Sequence, residues 1–160
     1  MSNVAVFVDV QNIYYTTRDA FGKHFDYNAF WRLISENQDV VLAHAFAIAS
    51  NNPKQRQFHH ILRGIGFKVK LKPFIQRSDG SAKGDWDVGI TIDVIETAMR
   101  EDIDKIILVS GDGDFDMLAT RVREHYGKDF EVFSVEALTA QSLIDAASKH
   151  ISIEQDLLIG

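Results

Sequence analysis

The chain contains no cysteine, which excludes disulfides and every metal site built on thiolates and fits a cytoplasmic protein. No apolar run reaches the ~18 residues of a membrane-spanning helix. No basic stretch precedes the first apolar segment, so a secretory leader is not expected. Basic residues are the minority, 17 Lys and Arg against 23 Asp and Glu for a net charge of −6. That balance argues against a surface that binds nucleic acid indiscriminately. Proline occurs only twice: Pro53 reads as the start of a helix, and Pro73 favours an edge position for its strand. Low-complexity segments, repeats and linkers are absent, so residues 1–160 are expected to form one domain with a substantial core.

What is present alternates between two periodicities. Short apolar runs read as strands: Val4 to Asp9, Val40 to Ala49, Phe67 to Phe74, Ile106 to Val109 and Phe130 to Val135. Between them lie stretches with helical spacing. One follows Gln11-Asn12 and carries Tyr14 and Tyr15 as packing residues; another runs from about Tyr27 to Glu36. A third starts at Pro53, a residue suited to the first helical turn, and offers Phe58, Ile61, Leu62 and Ile65 as its buried stripe. From Asp87 to Arg100, Val88, Ile92, Ile95 and Met99 lie along one face. Phe115, Leu118, Ala119, Val122 and Tyr126 mark the inner face of the next helix, and Ala140 to about Lys149 closes the chain. Strands alternating with helices predict right-handed crossovers and an α/β fold, a mainly parallel five-stranded sheet covered on both faces. The order 3-2-1-4-5 would set strands one and four side by side and open a crevice at their carboxyl ends.

The chemistry concentrates at those ends. Asp9 closes the first strand, and Ser110-Gly-Asp112-Gly-Asp114 follows the fourth, with Asp112 or Asp114 placed to cap the next helix. Asp87, or Asp85 two residues before it, opens the helix that precedes the fourth strand. Two carboxylates ~4 Å apart repel by roughly 4 kcal/mol at an effective dielectric of 20, so such a cluster calls for protonation or a cation. An all-oxygen donor set suits Mg²⁺ or Mn²⁺, one ion or two. Asp9, Asp87, Asp112 and Asp114 are the candidate metal-binding and catalytic acids. Asn12 and Ser110 are candidates for orienting them or for hydrogen-bonding a substrate, and Lys83 for holding a phosphate backbone.

Other readings fail or stay secondary. Asp112-x-Asp114-x-Asp116 begins like a calcium loop, but Arg123 stands where its bidentate Glu belongs. Asp116 reads instead as a first-turn acid favoured by the helix dipole. Asp93, six residues and about 600° of helix beyond Asp87, faces another way and is expected to brace the site or bond to neighbouring backbone, with a metal role as the alternative. None of the six histidines has ligand spacing. An aspartate phosphatase would want an acid where Gln11 stands. From Lys54 to Lys83, eight bases stand against the single acid Asp79, a pattern that fits a phosphate track or a charged helix face and edge strand. Trp86 reads as packing, with base stacking as the alternative.

Three segments together resemble the NYN domain family, in its bacterial LabA-like branch within the PIN-like nuclease fold. They are Val6-Phe-Val-Asp9-Val-Gln-Asn12, Lys83-Gly-Asp-Trp-Asp87 through Asp93, and Leu108-Val-Ser110-Gly-Asp112-Gly-Asp114-Phe115. The resemblance implies a PIN-like three-layer α/β/α sandwich and a cytoplasmic, metal-dependent ribonuclease hydrolysing RNA phosphodiester bonds. Asp9, Asp87, Asp112 and Asp114 would bind the metal, with Asn12 nearby. The same fold also serves non-catalytic modules that bind RNA or protein, and a homodimer is compatible with either. Ser142-Leu143 fits the family pattern, whereas Ser148 and His150 stand where an Asp and an aromatic are expected.

Overall fold

The computed structural model describes residues 1–73, 75–76, 82–83 and 85–160, with side chains for 1–73 and 85–160. Most of the Arg77–Gly84 loop and the Lys83 side chain, expected to hold phosphate, lie outside the described residues. In chain order the elements are β1 (Ser2–Asp9), α1 (Val10–Phe21), β2 (His24–Phe25), α2 (Tyr27–Ser35) and β3 (Gln38–Ile48). Then come α3 (Pro53–Ile65), β4 (Lys68–Lys72), β5 (Ile75–Gln76), β6 (Ala82–Lys83), α4 (Asp87–Ala98) and β7 (Lys105–Val109). The chain ends with α5 (Asp116–Glu124), β8 (Asp129–Ser134), α6 (Gln141–Ala146), β9 (Lys149–Ser152) and β10 (Leu158–Ile159).

The main sheet is parallel with order β4-β3-β1-β7-β8-β9. Its first five strands follow the expected 3-2-1-4-5 order, and α1–α3 and α4–α6 cover its two faces as the layers of a sandwich. Strand periodicity decides which core each residue joins. In β1, Val4, Val6 and Val8 pack with Ile13, Phe30 and Leu62 from α1, α2 and α3. Ala5 and Phe7 point the other way, to Ile90, Val94, Leu118 and Leu143 from α4, α5 and α6. Asp9 shares the parity of Ala5 and Phe7, so it emerges on the α4–α6 side. A second, two-stranded antiparallel sheet joins β2 to β10, and β5 pairs with β6.

The sixth strand was not expected. The closing helix ends at Ala146 instead of near Lys149 because the backbone is captured by β8. The Ser148 N–H donates to the Phe130 carbonyl at 2.8 Å, and the Phe130 N–H donates to Ser148 Oγ at 2.8 Å. Those two bonds start β9 one residue later. His150, out of keeping with the family pattern, there bonds through Nε2 with Ser134 Oγ at 2.8 Å.

Helix α4 is rotated from the expected face. Ile90, Val94, Thr97 and Ala98 are buried, while Val88, Ile92 and Met99 are exposed. Two acids set that rotation. Asp87 shares the inward side with Ile90 and Val94, and Asp93 turns toward β3 and β4. There Lys70 Nζ donates to Asp93 Oδ2 at 2.8 Å, and His44 Nδ1 lies 2.6 Å from the same oxygen. Asp93 is thus a brace, tying edge strand β4 to α4. Lys72 is similarly engaged, donating to the Asp85 carbonyl at 2.9 Å and lying 5.1 Å from the Trp86 ring. Two bases of the positive segment therefore serve the fold. Tyr14 and Tyr15, expected to pack, are 41% and 44% exposed, and in α3 His59 is buried while Ile61 is exposed.

Burial alone would raise the Asp93 pKa, but the hydrogen bonds and charges of His44 and Lys70 outweigh it and hold the carboxyl below its usual value. Its contribution to stability is therefore complete above the unfolded carboxyl pKa and is lost as pH falls through the lower folded value. Asp93→Ala leaves two half-buried bases without their acceptor and is expected to cost roughly 1–3 kcal/mol at neutral pH. Urea unfolding at pH 7 and pH 3 measures this, the gap between wild type and variant narrowing in acid.

Candidate metal centre

Strand pairing creates the site. In the β1–β7 register Val8 lies opposite Val109, so Asp9 and Ser110 leave the sheet side by side. Beyond Val109 the chain turns through Gly111 and Gly113 close against residues 138–140. A Cβ on Gly111 would sit 2.9 Å from Thr139 Oγ1, and one on Gly113 would sit 2.7 Å from the Ala140 Cβ. Larger residues would lift the loop and its acids off this support. Asp112 caps the following single turn of 3₁₀ helix, its Oδ1 accepting from the Asp114 N–H at 2.9 Å. Asp116 opens α5 as a first-turn acid.

Polar bonds then fix the acids. Ser110, fully buried, donates from Oγ to Asp9 Oδ2 at 3.1 Å and accepts from the Asp112 N–H at 3.2 Å. Asn12 accepts from the Gly111 N–H at 3.0 Å through Oδ1, joining α1 to the loop, and its backbone bonds to Asp9. Ser110 and Asn12, candidates for substrate binding, thus sit as braces of the acidic loop.

Three carboxylates converge. Asp9, Asp87 and Asp112 each offer an oxygen, and these lie within 4.8 Å of one another. Asp114 falls outside this group and is exposed. Asp85 is also exposed and outside it, its Oδ1 accepting from the Asp87 N–H at 3.3 Å. Trp86 is held as a packing residue, its indole N–H donating to the Ala47 carbonyl at 2.8 Å. Among the described residues, no salt bridge reaches Asp9, Asp87 or Asp112.

The electrostatic consequence is protonation. Asp9 is raised to about 6, chiefly by burial; the Ser110 and Asn12 bonds oppose this, and the Asp112 and Asp85 charges add to it. Asp87 is raised to about 8 by burial, by its hydrogen bond with Asp112 and by the charges of Asp112, Asp85 and Asp9. At neutral pH Asp87 therefore favours its protonated form. A divalent cation would replace that proton: the donors are hard oxygens, close together and without a basic partner among the described residues. The residues present fit such an ion.

An α/β sandwich with acids gathered at the carboxyl edge of a parallel sheet, where chain direction reverses, is a ligand-binding architecture of the open-sheet class. The chain matches the NYN domain family over residues 3–154 and belongs to it. It is similar to the low amplitude and bright protein LabA of Synechococcus elongatus, with 28% identity over 95% of this chain and 84% of that protein. Its fold matches the crystal structure of a protein of unknown function, VPA0982, from Vibrio parahaemolyticus. The TM-score is 0.93 and the identity 57%, covering 99% of this chain and 96% of the other.

Because Asp87 and Asp9 bind protons more tightly folded than unfolded, the metal-free protein is expected to lose stability as pH rises from about 4 to about 8. Asp87→Asn should raise the metal-free melting temperature at pH 8. Excess Mn²⁺ should stabilise the wild type there and leave the variant's melting temperature unchanged, as read by calorimetric scans with and without the ion.

Proposed function

We propose that this protein is a divalent-cation-dependent ribonuclease that hydrolyses RNA phosphodiester bonds at the Asp9–Asp87–Asp112 cluster. The observation that carries this reading is the convergence of three carboxylate oxygens within 4.8 Å with no base to neutralise them among the described residues. Membership of the NYN family supports the choice of RNA.

Asp9, Asp87 and Asp112 would hold Mg²⁺ or Mn²⁺. When bound, the cation lowers the pKa of water and offsets charge gathering on a phosphodiester. The protein's own part is positional. Ser110 holds the Asp9 carboxylate and Asn12 holds the acidic loop, while the glycine turn keeps that loop close against the 138–140 segment. Asp114, exposed and outside the three-carboxylate group, is kept as a further candidate acid for its place in the Ser110–Phe115 segment. Lys83 is assigned to the RNA backbone on the grounds of its charge and its place just before Asp87 in the sequence.

A second reading, a non-catalytic RNA- or protein-binding module, draws on the exposed apolar row Val88, Ile92 and Met99 of α4. The two separate cleanly by turnover. With Mn²⁺ and single-stranded or structured RNA, the wild type is expected to cut, and Asp112→Asn to lower the rate by ~100-fold or more with an unchanged circular dichroism spectrum. RNA left intact by wild type, or cleavage surviving in Asp112→Asn, would remove the nuclease reading.

A further inference from the structure

On the opposite face of the sheet from the acids lies a cavity of about 1240 Å³. Its walls come from α1, α3, the start of α2 and the end of β3, and it is larger than one small ligand requires. Two features separate it from ordinary apolar space. The first is deep polarity: Tyr27 and His59 line it while only 8% and 4% exposed. Among the described residues neither the Tyr27 hydroxyl nor a His59 ring nitrogen has a hydrogen-bond partner, although the chain leaves no fully buried side-chain polar atom unpaired. Both groups therefore look onto the cavity space. Burial, with the Asp9 charge nearby, keeps the Tyr27 phenol protonated and so a donor, and burial holds His59 toward its neutral form, one nitrogen donating and one accepting.

The second feature is a row of flat groups at the mouth. Tyr14 stacks on His24 with ring centroids 5.8 Å apart and meets Tyr15 at 5.3 Å, and the Arg18 guanidinium lies 4.9 Å from the Tyr15 ring. Both tyrosines line the cavity and stay substantially exposed. Its described lining contains no Lys or Arg, and the only acid, Asp26, is engaged as the cap of α2. A phosphate would find no counter-charge inside. An aliphatic ligand would leave the Tyr27 hydroxyl and the His59 nitrogens desolvated and unpaired. A neutral heteroaromatic ring with edge donors and acceptors satisfies both the stacking faces and the polar floor.

We propose that this cavity is a nucleobase-binding site, with Tyr27 and His59 reading the base edge and Tyr14 and Tyr15 offering stacking faces. The base belongs either to a free nucleoside or to an unpaired stretch of RNA. The site goes beyond the nuclease reading and does not depend on it, because none of the acids lines it.

Calorimetric titration of the full chain with adenosine, guanosine, cytidine and uridine, and with an RNA octamer and its abasic counterpart, tests the proposal. At least one nucleoside or the intact octamer should bind, with the abasic octamer weaker. Tyr27→Phe, which keeps the ring, should weaken binding roughly three- to tenfold. Ala49→Trp, which puts a bulky ring into the lining, should weaken it by about thirtyfold or more. Asp112→Asn should leave nucleoside affinity within about twofold, so failure of RNA cleavage and failure of this site are told apart. Saturation by a free nucleoside identifies a small-molecule site, and octamer binding alone, sensitive to both cavity variants, identifies an RNA strand. No nucleoside binding below on the order of 10 mM together with equal affinity for intact and abasic RNA would overturn the proposal. Binding that survives both Tyr27→Phe and Ala49→Trp would do the same.

Discussion

The pairing of β1 with β7 forces acids together that water would keep apart. Val8 opposite Val109 leaves Asp9 and the Ser110–Asp112 turn no choice but to emerge as neighbours, and α4 then brings in Asp87. Three ionised carboxylates at that spacing would repel by roughly 3–4 kcal/mol per pair. Hydrophobic burial supplies the opposing force: Val4 to Val8 and Ile106 to Val109 are fully buried between two cores, so the strands cannot slide to relieve the strain. Burial, reinforced by the neighbouring carboxylate charges, pushes Asp87 and Asp9 above ordinary aspartates and so favours their protonated forms.

Polar side chains around the cluster follow from that constraint. Ser110, Asn12 and the backbone of the glycine turn spend their hydrogen bonds on the carboxylates and on one another. A similar division holds farther down the sheet. Asp93, Lys70 and His44 join α4 to β3 and β4, and so fix the rotation that presents Asp87 inward and leaves Val88, Ile92 and Met99 to solvent. The positive segment is thereby partly consumed by the fold: Lys70 and Lys72 have partners, whereas the described lining of the large cavity has no cation at all. Whatever that cavity takes is recognised by shape, stacking and hydrogen bonding.

The two faces of the sheet thus carry different chemistry within a short span of chain. Asp9 looks toward α4 and α5, while Val10 and Gln11, directly after it, line the cavity beside α1. Both come from one junction, because β1 ends at Asp9 and α1 begins at Val10.

Local order was legible in the chain itself. Apolar runs a few residues long, punctuated by Pro53, Gly66, Gly111 and Gly127, mark strands and helices through steric and periodic rules that act between near neighbours. From the same runs come the parallel sheet and the candidate acids Asp9, Asp87 and Asp112. The order of the strands, though it matches the expected 3-2-1-4-5, is set by pairing that the sequence does not measure. Asp114 was ranked with those three acids and Asp85 stayed a competitor to Asp87, since spacing along the chain does not tell which carboxylate turns inward. Strand β9 was hidden because its cause is a pair of bonds between Ser148 and Phe130, 18 residues apart. The rotation of α4, the exposure of Tyr14 and Tyr15, and the polar groups of Tyr27 and His59, without a hydrogen-bond partner among the described residues, were equally hidden. Each depends on what a distant segment places against the side chain, and that is a property of packing in three dimensions rather than of neighbours in sequence.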